Sequence, residues 1–213
     1  MLKFRASSLA DIMTDGKSEE LSVGAKTTII KLAKEFLYGY DERIDSKYLK
    51  KGIQCEDTSI ELLNSVLGTT YTKNTERLTN DWITGEADIV DAAKIIDIKT
   101  SWSLSTFPVL PKQGEDKGYE WQLRAYMWLY DKPKASIAYC MVSTPQELIG
   151  YDDPQLHNVD HITPDLRVTF VEYERNAALE EKIKTKVAAA RVFYDQVIHD
   201  IAMAHMFVGG NNA

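Results

Sequence analysis

Three residues of this chain have the types and spacing that could do chemistry: Asp88, Asp97 and Lys99. Asp97 and Lys99 are two apart in the apolar run Ile95-Ile96-Asp97-Ile98-Lys99-Thr100. A β-strand has period two, so both side chains take one sheet face and Ile96 and Ile98 take the other. Upstream, Gly85-Glu86-Ala87-Asp88-Ile89-Val90-Asp91 reads as the partner strand, with Asp91-Ala92-Ala93-Lys94 as a tight connection. Asp88 and Asp97 are equidistant from the centre of that turn. They should therefore face each other, at the roughly 4.5–5.5 Å of antiparallel neighbours. Two carboxylates that close repel each other unless a cation is shared between them. Mg²⁺ suits such a pair, because it binds one or two carboxylates together with substrate phosphate. It lowers the pKa of water and offsets charge on phosphoryl oxygens. A lysine alongside can orient the attacking water, assist its deprotonation, or stabilise the transition state. These are the residue types that phosphodiester hydrolysis needs. The alternative is a solvated hairpin face; the apolar flanks Ile95, Ile96 and Ile98 weigh against it.

Other elements must hold this patch. Residues 22–38 predict a helix with an apolar stripe at Ile29, Ile30, Leu32, Ala33, Phe36 and Leu37. Residues 46–67 predict a second helix, ended by Gly68. Thr69 to Lys73, Leu78 to Asp91 and Lys94 to Thr100 predict an antiparallel β-meander. Residues 101–118, with Pro108, Pro111, Gly114 and Gly118, predict a long loop of the kind that often carries function. A helix follows over Tyr119 to Tyr130, then a strand over Ala135 to Val142. Residues 144–164 read as irregular, and Leu166 to Tyr173 as a strand. Residues 175–206 read as a long terminal helix before a frayed tail at about 208–213. The expected fold is a single α/β domain over 1–213, with a central mixed β-sheet flanked by helices.

The motifs, in this order, resemble a known family. Gly85-x-x-Asp88 followed by Asp97-x-Lys99 is similar to the core motif of the PD-(D/E)XK nuclease superfamily. Gly52-x-x-x-Glu56, on the preceding helix, resembles the first motif of its lambda-exonuclease/YqaJ and RecB-like branches. Gln122-x-x-x-Tyr126 resembles the QxxxY helix of RecB-like nucleases. The resemblance spans residues 1–145 or so and implies a restriction-endonuclease-like core. It implies Glu56, Asp88 and Asp97 as metal ligands, the carbonyl of Ile98 as a backbone ligand, and Lys99 as the catalytic lysine. Gln122 and Tyr126, at i and i+4 on one helix face, would brace the site or contact DNA. Phe4-Arg5-Ala6-Ser7-Ser8-Leu9 resembles the opening of lambda-like phage exonucleases, where an Arg and a Ser bind the terminal phosphate. Arg5 and Ser8 are the candidates here, the other reading being an N-cap before a short helix at Leu9 to Met13.

The family implies a Mg²⁺-dependent deoxyribonuclease, with Mn²⁺ as a substitute metal. Its first form would be a phage 5′-to-3′ double-strand exonuclease acting in recombination. A RecB-like single-strand nuclease or nickase is the second form. A catalytically silent DNA-binding or assembly subunit with the same fold is the reading of another class. DNA is the implied partner, with a single-strand annealing protein as companion and a homotrimer by analogy.

The remaining candidates divide. Trp102 could stack on a base or pack under the 101–118 loop. Arg124 could contact phosphate or pair with Glu120. His157 and His161 are four apart, but Pro154 and Pro164 interrupt the helix that would bring them together; His199 and His205 read as surface residues. Cys55 and Cys140, the only two cysteines, cannot make a cysteine-only zinc or iron–sulfur site and read as small buried hydrophobes. No Walker loop, GxSxG or GxGxxG motif is present, so an ATP-driven motor is not encoded. With 213 residues, 44% of them hydrophobic, the chain can bury a substantial core. Its net charge of −7 argues against a nucleic-acid partner until motifs argue for one. No apolar run reaches the ~20 residues that span a bilayer, and no secretory signal opens the chain. No membrane partner is expected, and the location implied is the cytoplasm, that of the host if the gene is a phage's.

Overall fold

Strand β5, Lys94–Thr100, carries the run of isoleucines and forms the spine of the fold in this computed structural model, which describes residues 2–16, 20–42 and 45–209. Ile95, Ile96, Asp97 and Ile98 are all buried, because both faces of the strand are covered. In chain order the elements are β1 (Phe4–Arg5), α1 (Ala10–Met13), α2 (Val23–Tyr38), α3 (Lys47–Gln54), α4 (Glu56–Leu67), β2 (Leu78–Thr79), β3 (Ile83–Gly85), β4 (Ile89–Val90) and β5. They continue with α5 (Lys117–Leu129), β6 (Lys134–Cys140), α6 (Gln146–Ile149), β7 (Val168–Glu174) and α7 (Ala177–Gly209). The fold is mixed α/β, as expected, but the strands form two sheets. One has the order β1-β3-β2, the other β4-β5-β6-β7, and each contains parallel and antiparallel pairs.

Period two sorts the side chains of β5. Ile95 joins a core built from residues as far apart as Phe4 and Ala190, under α1, α2, α5 and α7. Ile96 and Ile98 join Ile89, Leu63, Cys55 and Cys140 under α4. Both cysteines are free and buried, as expected. Helix α5 crosses from β5 to the parallel strand β6, starting at Asp116, whose carboxylate accepts the Tyr119 N–H at 2.9 Å. Helix α2 is capped by Ser22 and ends at Gly39 with a left-handed φ of 66°.

Four expectations are corrected. The β-meander reduces to two short hairpins in different sheets, β2–β3 and β4–β5, since residues 69–73 form no strand. The Asn64 side chain takes their backbone instead, accepting the Tyr71 N–H and donating to the Tyr71 carbonyl, each at 2.8 Å. Residues 78–91 break into three short strands. Asn80 Oδ1 accepts the N–H groups of Trp82 and Ile83 and makes a turn. Tyr130 Oη accepts the Ala87 N–H at 3.2 Å, where the chain leaves one sheet for the other. The helix predicted over 46–67 is interrupted at Cys55, whose φ of −106° and ψ of 11° are not helical. On α2, only Ala25, Ile29 and Ala33 are buried; Ile30, Phe36 and Leu37 of the predicted stripe are exposed. Elsewhere the boundaries move by one to three residues: α5 starts at Lys117, β7 at Val168 after a single turn of 3-10 helix, and α7 reaches Gly209. Of the tail at 208–213, residues 210–213 lie outside the described residues.

Candidate active site

The pairing of β4 with β5 sets the geometry. Ile89 faces Ile96 and Val90 faces Ile95, so the next position outward puts Asp88 across from Asp97. Asp88 itself lies just before the ladder, and its Oδ2 accepts the Ile98 N–H at 2.7 Å. That bond turns the Asp88 carboxylate toward the β5 backbone. Asp97, 1% exposed, accepts a hydrogen bond at Oδ1 from Gln122 Nε2, at 3.1 Å. The Lys99 ammonium lies 2.7 Å from Asp97 Oδ2, in line with the shared strand face. The buried Oδ2 therefore has the Lys99 ammonium as its partner. The same ammonium sits over the Tyr119 ring, 4.4 Å from its centroid.

Electrostatics set the two carboxylates against each other. Burial, and then the neighbouring Asp97 carboxylate, push Asp88 up to about 7. The Ile98 N–H and Lys99 only partly oppose this. For Lys99, burial disfavours the charge, but the attraction of Asp97 and Asp88 outweighs it and raises the pKa above the ordinary lysine value. The site therefore holds a protonated lysine beside two carboxylates that repel each other. A divalent cation would relieve that repulsion, and the two carboxylates could supply its first ligands.

Glu56, Asp88, Asp97, Ile98, Lys99 and Gln122 line one cavity of about 650 Å³. Helix α3 adds Tyr48, Leu49 and Ile53, apolar side chains that are largely exposed along this wall. Glu56 opens α4, immediately after the interruption at Cys55, and its carboxylate is held in an ion pair by Lys73. Among the described residues, no three His, Cys, Asp or Glu side chains are grouped closely enough to surround a metal ion. The structure thus brings Asp88, Asp97 and Lys99 together, and places Glu56 in the same cavity but engaged elsewhere.

Gln122 and Tyr126 are both buried on α5. Gln122 Nε2 also donates to Tyr126 Oη, at 3.0 Å, so the helix clamps Asp97 through a two-residue chain. The Tyr126 ring in turn explains Gly85. A Cβ at position 85 would lie 2.7 Å from Tyr126 Cε1 and 3.0 Å from Ala6 Cβ, so only glycine lets β3 pass this close.

Arg5 and Tyr126 line a second cavity of about 550 Å³, together with Ser7, Arg77, Thr84 and Glu86. Ser8 does not line it; the Ser8 hydroxyl donates to the Arg5 carbonyl at 3.3 Å and caps no helix. Trp102 is packed among Tyr48, His157 and Lys47, and its indole N–H donates to Asp152 at 3.2 Å. Arg124 pairs with Glu120 at 3.1 Å and donates to the Glu174 carbonyl. Neither Trp102 nor Arg124 lines either of these cavities. His157 is buried against Thr144, and His161, His199 and His205 are exposed. Sequence reasoning missed Lys73 and Tyr119. Tyr119 is legible in retrospect, three residues before Gln122 on the same helix.

Comparison with known protein-family models finds no match, and comparison with curated proteins finds none either. Solved structures do match. A phage-related exonuclease from Haemophilus somnus 129PT is 37% identical, with 94% of this chain and 96% of that one covered, and a TM-score of 0.88. The alkaline exonuclease LHK-Exo from Laribacter hongkongensis is 18% identical, with 97% and 94% covered and a TM-score of 0.71. The same protein in complex with dAMP also has a TM-score of 0.71, at 19% identity. The latter two show the shared fold. On the strength of the first, and of the Asp88/Asp97/Lys99 arrangement on this fold, the chain belongs to the phage-related exonucleases of the lambda-exonuclease/YqaJ-like branch of the PD-(D/E)XK nuclease superfamily.

Proposed function

We propose that this protein is a metal-dependent deoxyribonuclease that hydrolyses phosphodiester bonds at DNA ends, in the manner of a phage 5′-to-3′ double-strand exonuclease serving recombination. The observation that carries this is the buried Asp97 carboxylate, ion-paired with Lys99 and close enough to Asp88 to disfavour its charge, in one cavity with both. Membership of the exonuclease family supports the DNA substrate.

Asp88, Asp97 and the Ile98 carbonyl would hold Mg²⁺, or Mn²⁺ in its place. Glu56 would join them once released from Lys73. When bound, the ion lowers the pKa of water and offsets phosphate charge. The protein's own residues do the rest. Asp97 is fixed by Gln122, and Gln122 by Tyr126, so the carboxylate does not turn away from the cavity. Lys99, beside those carboxylates, would act as a charged donor to the reacting phosphate and water. Arg5, with Arg77 beside it, would receive a terminal phosphate. Ser8 is displaced from that cavity and Ser7 stands in it. Gln122 and Tyr126 brace the site, and Trp102 and Arg124 hold the surrounding loops and strands.

We read the chain as one nuclease domain, supported by a core that draws on residues from Phe4 to Ala190. Assembly as a trimer and a single-strand annealing companion follow from the family alone. No helix of the described residues is long and apolar enough to cross a membrane; action on DNA in the host cytoplasm is part of the proposal. The test is digestion of a linear duplex carrying or lacking a 5′ phosphate, with Mg²⁺. Faster release from the phosphorylated end supports the phage-type reading. Equal release from both ends removes it, and preference for single strands favours the RecB-like form.

A further inference from the structure

Lys51 has no place in the chemistry above, yet its side chain is fully buried. It lies on α3 and makes no ion pair with a carboxylate among the described residues. Its ammonium donates to three main-chain carbonyls instead: Ser101 at 2.7 Å, Trp102 at 2.9 Å and Val142 at 2.9 Å. Three acceptors match the three N–H donors of an ammonium, so the group is satisfied without a counter-ion. Burial draws its pKa down to about 8, opposed by Cys55. Holding a cation in this position is costly, and a core of this size has cheaper ways to fill the space.

The carbonyls it holds explain its position. Ser101 and Trp102 follow directly on β5, the strand of Asp97 and Lys99. Val142 follows on β6, the parallel neighbour of β5. Past the ends of these two parallel strands the carbonyls meet no ladder N–H, and Lys51 donates to all three, with the Thr144 hydroxyl a second donor to Trp102. One turn beyond Lys51, Cys55 interrupts the helix and Glu56 begins α4. The Ser59 hydroxyl, a turn further on, bonds the Thr100 hydroxyl at 2.9 Å.

We propose that Lys51 is a positioning residue of the metal site. Its ammonium ties α3, and through it Glu56 on α4, to the end of β5, and so sets Glu56 at a fixed distance from Asp88 and Asp97. The inference rests on the metal-site reading above, but its test does not need turnover.

The experiment compares Lys51→Met with Lys186→Met. Lys186 is an equally buried lysine that bonds the Thr14 and Glu20 carbonyls and pairs with Asp15, remote from the cavity. It controls for the loss of any buried ammonium. Mn²⁺ affinity is measured by calorimetric titration, and kcat and KM on a linear duplex. For Lys51→Met we expect Mn²⁺ affinity to fall about 10- to 100-fold, as when groups that orient ligands are removed, and kcat to fall more than KM changes. Lys186→Met should stay within about threefold of wild type in both, while losing thermal stability. Equal effects of the two changes, or unaltered Mn²⁺ affinity in Lys51→Met, overturn the proposal. If Lys51→Met does not fold, Lys51→Gln, which restores two donors, is read the same way; if neither folds, Lys51 is a folding requirement and the proposal fails. A wild type that binds Mn²⁺ but cleaves no DNA overturns the nuclease reading and leaves this one to be judged on affinity.

Discussion

Adding one methyl group at Gly85 should damage the site from a distance. Gly85 is not at a positive φ, so its requirement is steric, and an alanine there needs no unusual backbone. Its Cβ would meet Tyr126 Cε1 at 2.7 Å, Ala6 Cβ at 3.0 Å and Leu129 Cδ1 at 3.2 Å. The tyrosine ring is the closest of these and cannot simply swing out, because it is 4% exposed and its hydroxyl accepts from Gln122. Gly85→Ala must therefore push the ring, strain the Gln122 bond and shift the Asp97 carboxylate. Overpacking of this kind costs about 1–3 kcal/mol. In a chain of this length that lowers the melting temperature by roughly 2–4 °C per kcal/mol. The assay is a double-mutant cycle by denaturant unfolding, with Tyr126→Leu as the second change. In the leucine background the added methyl should cost less than half as much, because the clashing ring is gone and only the Ala6 and Leu129 contacts remain. Cleavage should fall in Gly85→Ala at a temperature where the protein is fully folded. An equal cost of Gly85→Ala in both backgrounds, or no cost in either, would show that the ring and glycine are not coupled and that the chain from Tyr126 to Asp97 does not brace the site.

Other outcomes follow from the same geometry. Lys99→Ala should lower kcat by about 100-fold or more, the scale for losing one charged donor to the reacting centre, with an unchanged circular dichroism spectrum; retained activity would remove Lys99 from the chemistry. Asp88 has a folded pKa of about 7 against an ordinary 3.8, so the fold disfavours its charge. That penalty is absent below the unfolded value and complete above the folded one. In EDTA, Asp88→Asn should therefore gain stability relative to wild type as pH rises from about 4 to about 8, measured by urea unfolding; a difference independent of pH contradicts the assignment. For the wild type, Mg²⁺ affinity should rise with pH through the same range, because binding displaces the Asp88 proton. Lys73→Gln should strengthen Mn²⁺ binding by about two- to tenfold, since it frees Glu56 and removes a positive charge; weaker binding would mean that Lys73 organises the site.

The central hairpin was legible because its information is local. Period two puts Asp97 and Lys99 on one face, and a short turn fixes which residue of β4 meets which of β5. Gln122 and Tyr126 were legible for the same reason, at i and i+4 on one helix. Two features were not. Residues 69–73 have the Thr and Tyr texture of a strand, yet Asn64 on α4 supplies their hydrogen bonds, and no window of sequence reveals that partner. Lys73, brought to Glu56 by that irregular segment, was hidden with it. Little in the local sequence marks Lys51, because burial of a lysine depends on carbonyls 50 and 91 positions away. The faint signal was its spacing of four with Cys55 and again with Ser59, all three buried, in the segment that the sequence reads as one helix.

The account stands most directly on digestion of an end-labelled linear duplex by the purified protein, in Mg²⁺ and in EDTA, beside Asp97→Asn. It predicts stepwise release of nucleotides from the ends in Mg²⁺, none in EDTA, and none from the folded variant. Cleavage that persists in EDTA or in Asp97→Asn, or no degradation of any DNA form by the wild type in Mg²⁺ or Mn²⁺, would contradict it.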